Sequence, residues 1–201
     1  MSSTATELIE ALAGSVPRSI GEQEEMQALG IASANPGSPR DRGGRPFPVR
    51  RGVPKHAVHA RGVLNEAYDY PRASSFTRGI RFNLGDKTLL LISGTASIDD
   101  AGRTTHAGDF RAQLWRTYRN ITALLAAEGA TWHDVVRTTC YLRDIERDYR
   151  DFNEIRTTFF TWLGLDPLPA STGIQARLCR EDLLVEIEAM AVLEREATPT
   201  A

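Results

Sequence analysis

Residues 109–142 read DFRAQLWRTYRNITALLAAEGATWHDVVRTTCYL and carry the two signals that decide the fold class. The first signal is a helical spacing of apolar residues between a capping residue and a terminating glycine; these positions are Asp109, Phe110, Leu114, Tyr118, Ile121, Leu125 and Gly129. The second signal is the alternating, β-branched pattern of residues 135–142, which is typical of a strand. A helix that leads into a strand indicates a domain that mixes both kinds of element.

The flanking segments extend this pattern in both directions. Before it, residues 79–84 and 88–92 predict a β-hairpin, because the intervening Asn83-Leu-Gly-Asp86 supplies turn residues. After it, the apolar spacing predicts a helix that ends at Gly164, and residues 183–192 predict a closing strand. The order ββ–α–β–α–β predicts an α+β fold in which two helices cover one face of a mixed sheet. The other face needs a cover, which self-association supplies.

The composition excludes several classes of protein. Of 201 residues, 41% are hydrophobic and 25% are charged, which is typical of a globular domain, and the net charge of −2 does not favour a nucleic-acid partner. No apolar run approaches the roughly 20 residues of a membrane span, and the N-terminus does not resemble a secretory signal. The two cysteines form no CxxC motif or Cys/His cluster, so we expect a cytoplasmic protein without a metal.

The N-terminal third has a different composition. Residues 32–62 are rich in Pro, Gly and Arg, with seven basic residues against one acidic residue, Asp41. Such a segment buries little apolar surface, so we predict a partly flexible arm or linker, with an arm that closes a site or binds an anionic partner as the functional alternative. Residues 3–13 and 21–30, which precede the arm, are predicted to form short helices.

The domain boundaries are predicted from this change in composition. We expect an N-terminal extension over residues 1–70, one main domain over residues 71–195 and a tail over residues 196–201. Because the periodic apolar segments lie beyond the arm, deletion of residues 1–60 is expected to leave a folded trimer.

Several segments resemble the Rid (YjgF-like) superfamily in order and spacing. They are LLLISGTASIDDAGRT, the helix–strand segment quoted above, DFNEIRTTFF, LPASTGI and DLLVEIEAMAV, and the resemblance covers residues 75–193. It implies a chorismate-mutase-like fold, a homotrimer and substrate clefts between the subunits. It also implies chemistry without a cofactor on reactive enamines and imines such as 2-aminoacrylate.

The resemblance also implies the positions of the site residues. The glutamate that positions water falls on Glu186, a polar residue of the second helix falls on Asn153, and an aromatic residue falls on Phe76. In the predicted strand, Glu186 alternates with Val185 and Ile187, so its side chain should face the open side of the sheet. A carboxylate in such a partly dry place has a raised pKa and acts as a general acid or base near neutral pH.

The departure from the superfamily pattern lies at Ser171. The arginine that holds the substrate carboxylate in the superfamily falls on this serine, and a hydroxyl does not replace a bidentate guanidinium. Arg78 and Arg177 are the candidates for a substitute anchor. We therefore expect poor turnover of short imino acids and a substrate that is larger or differently oriented.

Five further residues are candidates for the site. Ser93 and Gly94 are predicted to form a tight strand end that lines the cleft. Thr172 and Gly173 follow Ser171 and would offer a hydroxyl and backbone N–H groups to an anion, with a plain turn as the alternative. The segment LCREDLLVEIE, together with ISGTASI, is similar to the chorismatase branch of the superfamily, and this similarity implies a site thiol at Cys179.

Three functions are compatible with these residues. The first is an enzyme, independent of a cofactor, that hydrolyses, deaminates or cleaves a small carboxylated imine, enamine or enol ether, with chorismatase-like chemistry on an enol-ether or dienoate acid as a variant. The second is a ligand-binding trimer that lost catalysis together with the arginine. The third is a ribonuclease, which the near-neutral charge and the lack of a basic, aromatic platform make unfavourable.

Overall fold

The computed structural model describes residues 19–28, 52–70 and 73–194. The chain divides into two compact units, Met1–Val53 and Pro54–Ala201. In the first unit, helix α1 spans Ile20–Ala28, close to the helix predicted over residues 21–30, whereas the helix predicted over residues 3–13 lies outside the described residues. No helix of the described part is long and apolar enough to span a membrane.

The second unit is built around a six-stranded mixed sheet. Its strands are β1 (Lys55–Ala57), β2 (Gly79–Leu84), β3 (Lys87–Ala96), β4 (Val135–Leu142), β5 (Ala170–Gln175) and β6 (Val185–Glu194). Their spatial order is β1-β2-β3-β6-β4-β5, in which only the β4–β5 pair is parallel. Two helices, α2 (Phe110–Ala127) and α3 (Ile145–Leu163), pack against the sheet. The predicted α+β fold, a mixed sheet covered by two helices, is confirmed.

The helix ends follow the capping residues in the sequence. The Asp109 side chain accepts a hydrogen bond from the backbone N–H of Ala112 at 3.0 Å, and Asp144 caps α3 in the same way. Helix α3 ends at Gly164, whose φ of 68° lies in the left-handed region that glycine tolerates best. These caps fix where each helix meets the sheet.

The two faces of β6 separate the core from the open side of the sheet. Val185, Ile187 and Ala189 are buried in the core, whereas Glu186 and Glu188 alternate with them on the other face. Leu91 of β3 and Val136 of β4 are 38% and 45% exposed, which are high values for large apolar side chains. The predicted orientation of Glu186 toward the open side is therefore confirmed.

Two strands were missed by the sequence prediction. Residues 170–175, predicted to contain an anion-binding loop or a turn, form β5 because they pair in parallel with β4. Every residue of β5 is exposed, so the segment has no alternation of buried and exposed side chains that would identify a strand. The other missed strand, β1, has only three residues.

The boundary of the main unit also differs from the prediction. We expected the domain to begin at residue 71, but the compact unit begins at Pro54. Strand β1 pairs with β2, and Val58, which follows β1, is 0% exposed. The last part of the predicted extension therefore contributes to the core and to the sheet.

Candidate functional site

A β-bulge between Ile92 and Thr95 creates the centre of the candidate site. At this bulge the pairing of β3 with β6 shifts its register, and Ser93 turns toward the preceding chain. The Ser93 hydroxyl donates to the Thr77 carbonyl at 2.7 Å, and the Ser93 N–H donates to the Arg78 carbonyl at 3.0 Å. These bonds hold the bulged backbone beside a cavity of about 410 Å³.

The cavity brings together six of the eleven predicted site residues. They are Phe76, Arg78, Ser93, Gly94, Cys179 and Glu186. Among them, Cys179 is an exposed free thiol. The sequence prediction missed two residues that also line the cavity. They are Arg180, which follows Cys179, and Glu188, which lies two residues after Glu186. The available signal for Arg180 was its position next to Cys179, and for Glu188 it was strand alternation, which puts it on the same face as Glu186.

Glu186 lies directly over the backbone of Gly94. A Cβ atom added to Gly94 would be 1.9 Å from Glu186 Oε1, so any side chain at this position would displace the carboxylate. Burial raises the pKa of Glu186, and the neighbouring Glu188 raises it further, whereas the charges of Arg78 and Arg180 lower it. The direction of the shift favours a carboxyl group that exchanges protons closer to neutral pH than an ordinary glutamate does.

Arg78 is buried beside this carboxylate and is held by several groups. It is 3% exposed, its Nε donates to the Asn65 carbonyl at 3.0 Å, and its Nη2 donates to the Tyr70 hydroxyl at 2.5 Å. The guanidinium lies over the rings of Tyr70 and Phe76, at 5.1 and 5.3 Å from their centroids. Among the described residues, Nη1 has no hydrogen-bond acceptor, so it can donate to a ligand.

Residues 54–70 form the support behind Arg78. Glu66 is 2% exposed, accepts from the Arg78 backbone N–H at 3.2 Å and contacts His59 Nδ1 at 2.8 Å. Tyr70 packs against Gly102, because a Cβ atom there would lie 2.5 Å from the tyrosine ring. Residues 54–62 belong to the predicted arm, and together with residues 63–70 they build one wall of the site.

The other predicted residues lie away from this cavity in a single copy of the chain. Asn153 and Ser171 both contact Arg156, whose Nη2 donates to Asn153 Oδ1 at 2.6 Å and whose Nη1 donates to Ser171 Oγ at 3.2 Å. The Arg156 guanidinium also lies 4.8 Å from the Phe152 ring centroid. The sequence prediction missed Arg156. Its guanidinium lies beside Ser171, the position to which the resemblance assigns the superfamily arginine.

Thr172, Gly173 and Arg177 lie outside the cavity as well. Thr172 Oγ1 accepts from Arg137 Nη2 at 3.2 Å, Gly173 is part of exposed strand β5, and Arg177 is exposed beyond that strand. Of the two arginines considered as a substitute anchor, only Arg78 is in the same cavity as Glu186. No cluster of three metal-binding side chains occurs among the residues that the structure describes.

The fold and the site define a small α+β protein with an open-faced mixed sheet. The YjgF gene product of E. coli has this fold, with a TM-score of 0.54 and 24% identity over 68% of this chain and 98% of that protein. The Rid-family protein YyfA of Yersinia pestis aligns with a TM-score of 0.55 and 20% identity over 70% of this chain and 100% of that protein. The sequence model of the Endoribonuclease L-PSP family matches residues 71–193, and the chain therefore belongs to this family, within the Rid superfamily.

Curated relatives match about half of the chain. A RutC family protein of Pyrococcus abyssi is 31% identical over 106 residues, which are 53% of this chain and 80% of that protein. The 2-iminobutanoate/2-iminopropanoate deaminase of Mus musculus is 32% identical over 107 residues, which are 53% of this chain and 75% of the mouse protein. The enzyme of the same name from Salmonella typhimurium is 29% identical over 105 residues, which are 52% of this chain and 80% of that enzyme.

Proposed function

We propose that this protein is an enzyme that hydrolyses the C=N bond of small carboxylated imines, or of the enamines that tautomerise to them. The observation that carries the proposal is the pairing of Glu186, a carboxyl group with a raised pKa, with the buried Arg78 guanidinium in one cavity. Two relatives that bear the name of imine deaminases support the same chemistry.

Each group in the cavity has a role in the proposed reaction. The free Nη1 edge of Arg78 binds the substrate carboxylate and so places the imine carbon near Glu186. The Glu186 carboxylate takes a proton from a water molecule as the water oxygen attacks that carbon, and the imine nitrogen gains a proton. As the C–N bond of the resulting carbinolamine breaks, Glu186 relays the hydroxyl proton to the nitrogen, so that ammonia leaves and a 2-oxo acid remains.

We also propose that the working enzyme is a homotrimer. The apolar side chains of Leu91 and Val136 are exposed on the sheet, and all six residues of β5 are exposed, so a second copy would bury apolar surface here. The resemblance to the superfamily supports the same arrangement, with clefts between subunits. In such a cleft, Asn153 and Ser171 of one copy would complete the cavity of the next copy.

The test of the proposed reaction is the release of ammonia from imines that an amino-acid oxidase generates in the assay. Suitable precursors are alanine, 2-aminobutanoate, aspartate and glutamate, because they give imines with different chain lengths and charges. We expect the protein to accelerate hydrolysis of at least one of these imines. Glu186→Gln should reduce kcat/KM by about 10²- to 10⁴-fold, as removal of a general acid–base group typically does.

The matched control is Glu194→Gln, at the far end of the same strand. Glu194 is exposed and bonds to Lys87 on the surface, so its substitution should leave turnover unchanged. Equal turnover by the wild-type protein and Glu186→Gln, or no acceleration of any of the four imines, would contradict the proposed function.

A further inference from the structure

Two guanidinium groups, rather than one, line the cavity around Glu186. Arg78 and Arg180 are both among its lining residues, and both act electrostatically on the Glu186 carboxyl group. Within residues 52–70 and 73–194, neither guanidinium forms an ion pair with a carboxylate. The carboxyl groups of Glu186 and Glu188 line the same cavity, but neither lies within ion-pair distance of the two guanidinium groups, whose remaining N–H donors are therefore available to an anionic ligand.

Arg180 is held in place by the protein. Its Nη1 donates to the Gly102 carbonyl, and its own backbone carbonyl accepts from Arg143 Nη2. Arg143 Nε also donates to the Leu183 carbonyl at 2.6 Å, which fixes the loop that leads into β6. Nε and Nη2 of Arg180 have no acceptor among the described residues, so this half-buried guanidinium has free donors.

The size of the cavity is suited to more than a short acid. Its volume of about 410 Å³ is within the range of roughly 300–1,000 Å³ that is common for sites of small molecules. A three- or four-carbon imino acid with its carboxylate bound to Arg78 would fill only part of this volume. It would also leave the free N–H donors of Arg180 without an acceptor.

We propose that the substrate carries two carboxylates, one bound by Arg78 and the other by Arg180, with the C=N carbon between them near Glu186. The substrate class is thus an imino or enamino dicarboxylic acid. This inference rests on the proposed function for the imine, but the assignment of two anion positions rests on the two arginines alone.

Equilibrium binding tests the two anion positions without catalysis. Calorimetry would compare 2-oxoglutarate with 2-oxobutanoate, the dicarboxylic and monocarboxylic products of the corresponding imines, at one ionic strength. A charge-assisted contact to a second carboxylate should make the Kd of 2-oxoglutarate about tenfold to a hundredfold lower in the wild-type protein. Equal Kd values for the two acids would overturn the proposal, whatever the variants do.

The Arg180→Gln variant separates the two arginines. It should remove the preference for 2-oxoglutarate by raising the Kd of that acid much more than the Kd of 2-oxobutanoate, because only the dicarboxylic acid contacts Arg180 directly. The matched control is Arg119→Gln, which removes an exposed charge on α2 and should keep the preference. An Arg180→Gln variant that still prefers 2-oxoglutarate, or that loses affinity for both acids equally, would overturn the assignment of Arg180.

Turnover distinguishes a failure of this inference from a failure of the proposed function. With the imines of glutamate and 2-aminobutanoate, the wild-type kcat/KM should favour the dicarboxylic imine, and Arg180→Gln should abolish the difference. If neither imine is hydrolysed but 2-oxoglutarate binds more tightly through Arg180, imine hydrolysis fails while the dicarboxylate site is upheld. If both imines are hydrolysed at the same kcat/KM, the reaction is upheld and the dicarboxylate proposal fails.

Discussion

The Gly94→Ala substitution tests how closely the Glu186 carboxylate must be positioned. The added Cβ would lie 1.9 Å from Glu186 Oε1 and 3.0 Å from its Cδ, well inside normal contact distances. The clash involves the end of a flexible side chain, so the carboxylate can rotate away while the backbone stays in place. A displacement of the reacting group by about 1 Å typically lowers the rate by about 10²-fold.

We therefore expect Gly94→Ala to lose activity while it keeps its stability. The expected kcat/KM for imine hydrolysis is about 10²-fold below the wild-type value. The expected loss of unfolding free energy is below about 1 kcal/mol, which corresponds to a fall in Tm of less than about 4 °C. Ammonia release and a thermal melt on the same preparation would measure both quantities.

Two other glycines supply controls with opposite expectations. A Cβ at Gly79 would lie 2.9 Å from the Leu91 carbonyl oxygen, which is backbone and cannot rotate away, so Gly79→Ala should mainly lower the Tm. A Cβ at Gly52 would meet nothing within 4 Å, so Gly52→Ala should change neither quantity. A Gly94→Ala protein with wild-type kcat/KM, alongside an inactive Glu186→Gln, would refute the idea that this close approach positions the carboxylate.

Three further predictions follow from the supports of the site. Burial raises the pKa of Glu186 in the folded protein, so the free energy of unfolding falls as the pH rises from the ordinary glutamate pKa of 4.5 through the folded-state pKa. Glu186→Gln should therefore have a higher Tm than the wild-type protein near pH 7. At a pH far below 4.5, the two proteins should have the same Tm. Tyr70→Phe removes an acceptor of Arg78, so KM should rise about tenfold with little change in kcat, as steady-state kinetics would show. Deletion of residues 1–53 should leave one cooperative thermal transition, whereas deletion of residues 1–60 removes β1 and should lower the Tm or abolish the transition.

The last of these predictions reverses the expectation from the sequence that residues 1–60 are dispensable. The helices and four central strands were predictable because their apolar side chains recur with the period of the element and face one core. Strands β1 and β5 were not, because one has three residues and the other is exposed along its whole length. Val58 and Ala60 are both buried but lie in a stretch rich in Pro, Gly and Arg, and two apolar residues are too few to make a periodic pattern there.

The site was predictable where it depends on strand geometry or on the resemblance to the superfamily. Alternation along β6 placed Glu186 on the open face, and Gly94 was predicted to line the cleft, but its contact with Glu186 was found only in the structure. The positions of Arg180 and Tyr70 depend on Gly102, which is distant in sequence from both. Its carbonyl accepts a hydrogen bond from Arg180, and its lack of a side chain leaves room for the Tyr70 ring. Such contacts leave no signature in the choice of side chains, so only the folded structure indicates them.

A crystal structure of the protein with 2-oxobutanoate would test most directly the claim that the cavity of Glu186 and Arg78 is the substrate site. We predict a carboxylate oxygen within about 3 Å of Arg78 Nη1, with the 2-oxo carbon next to the Glu186 carboxylate. A ligand carboxylate held instead by Arg156 beside Ser171, with nothing bound at Arg78, would contradict it.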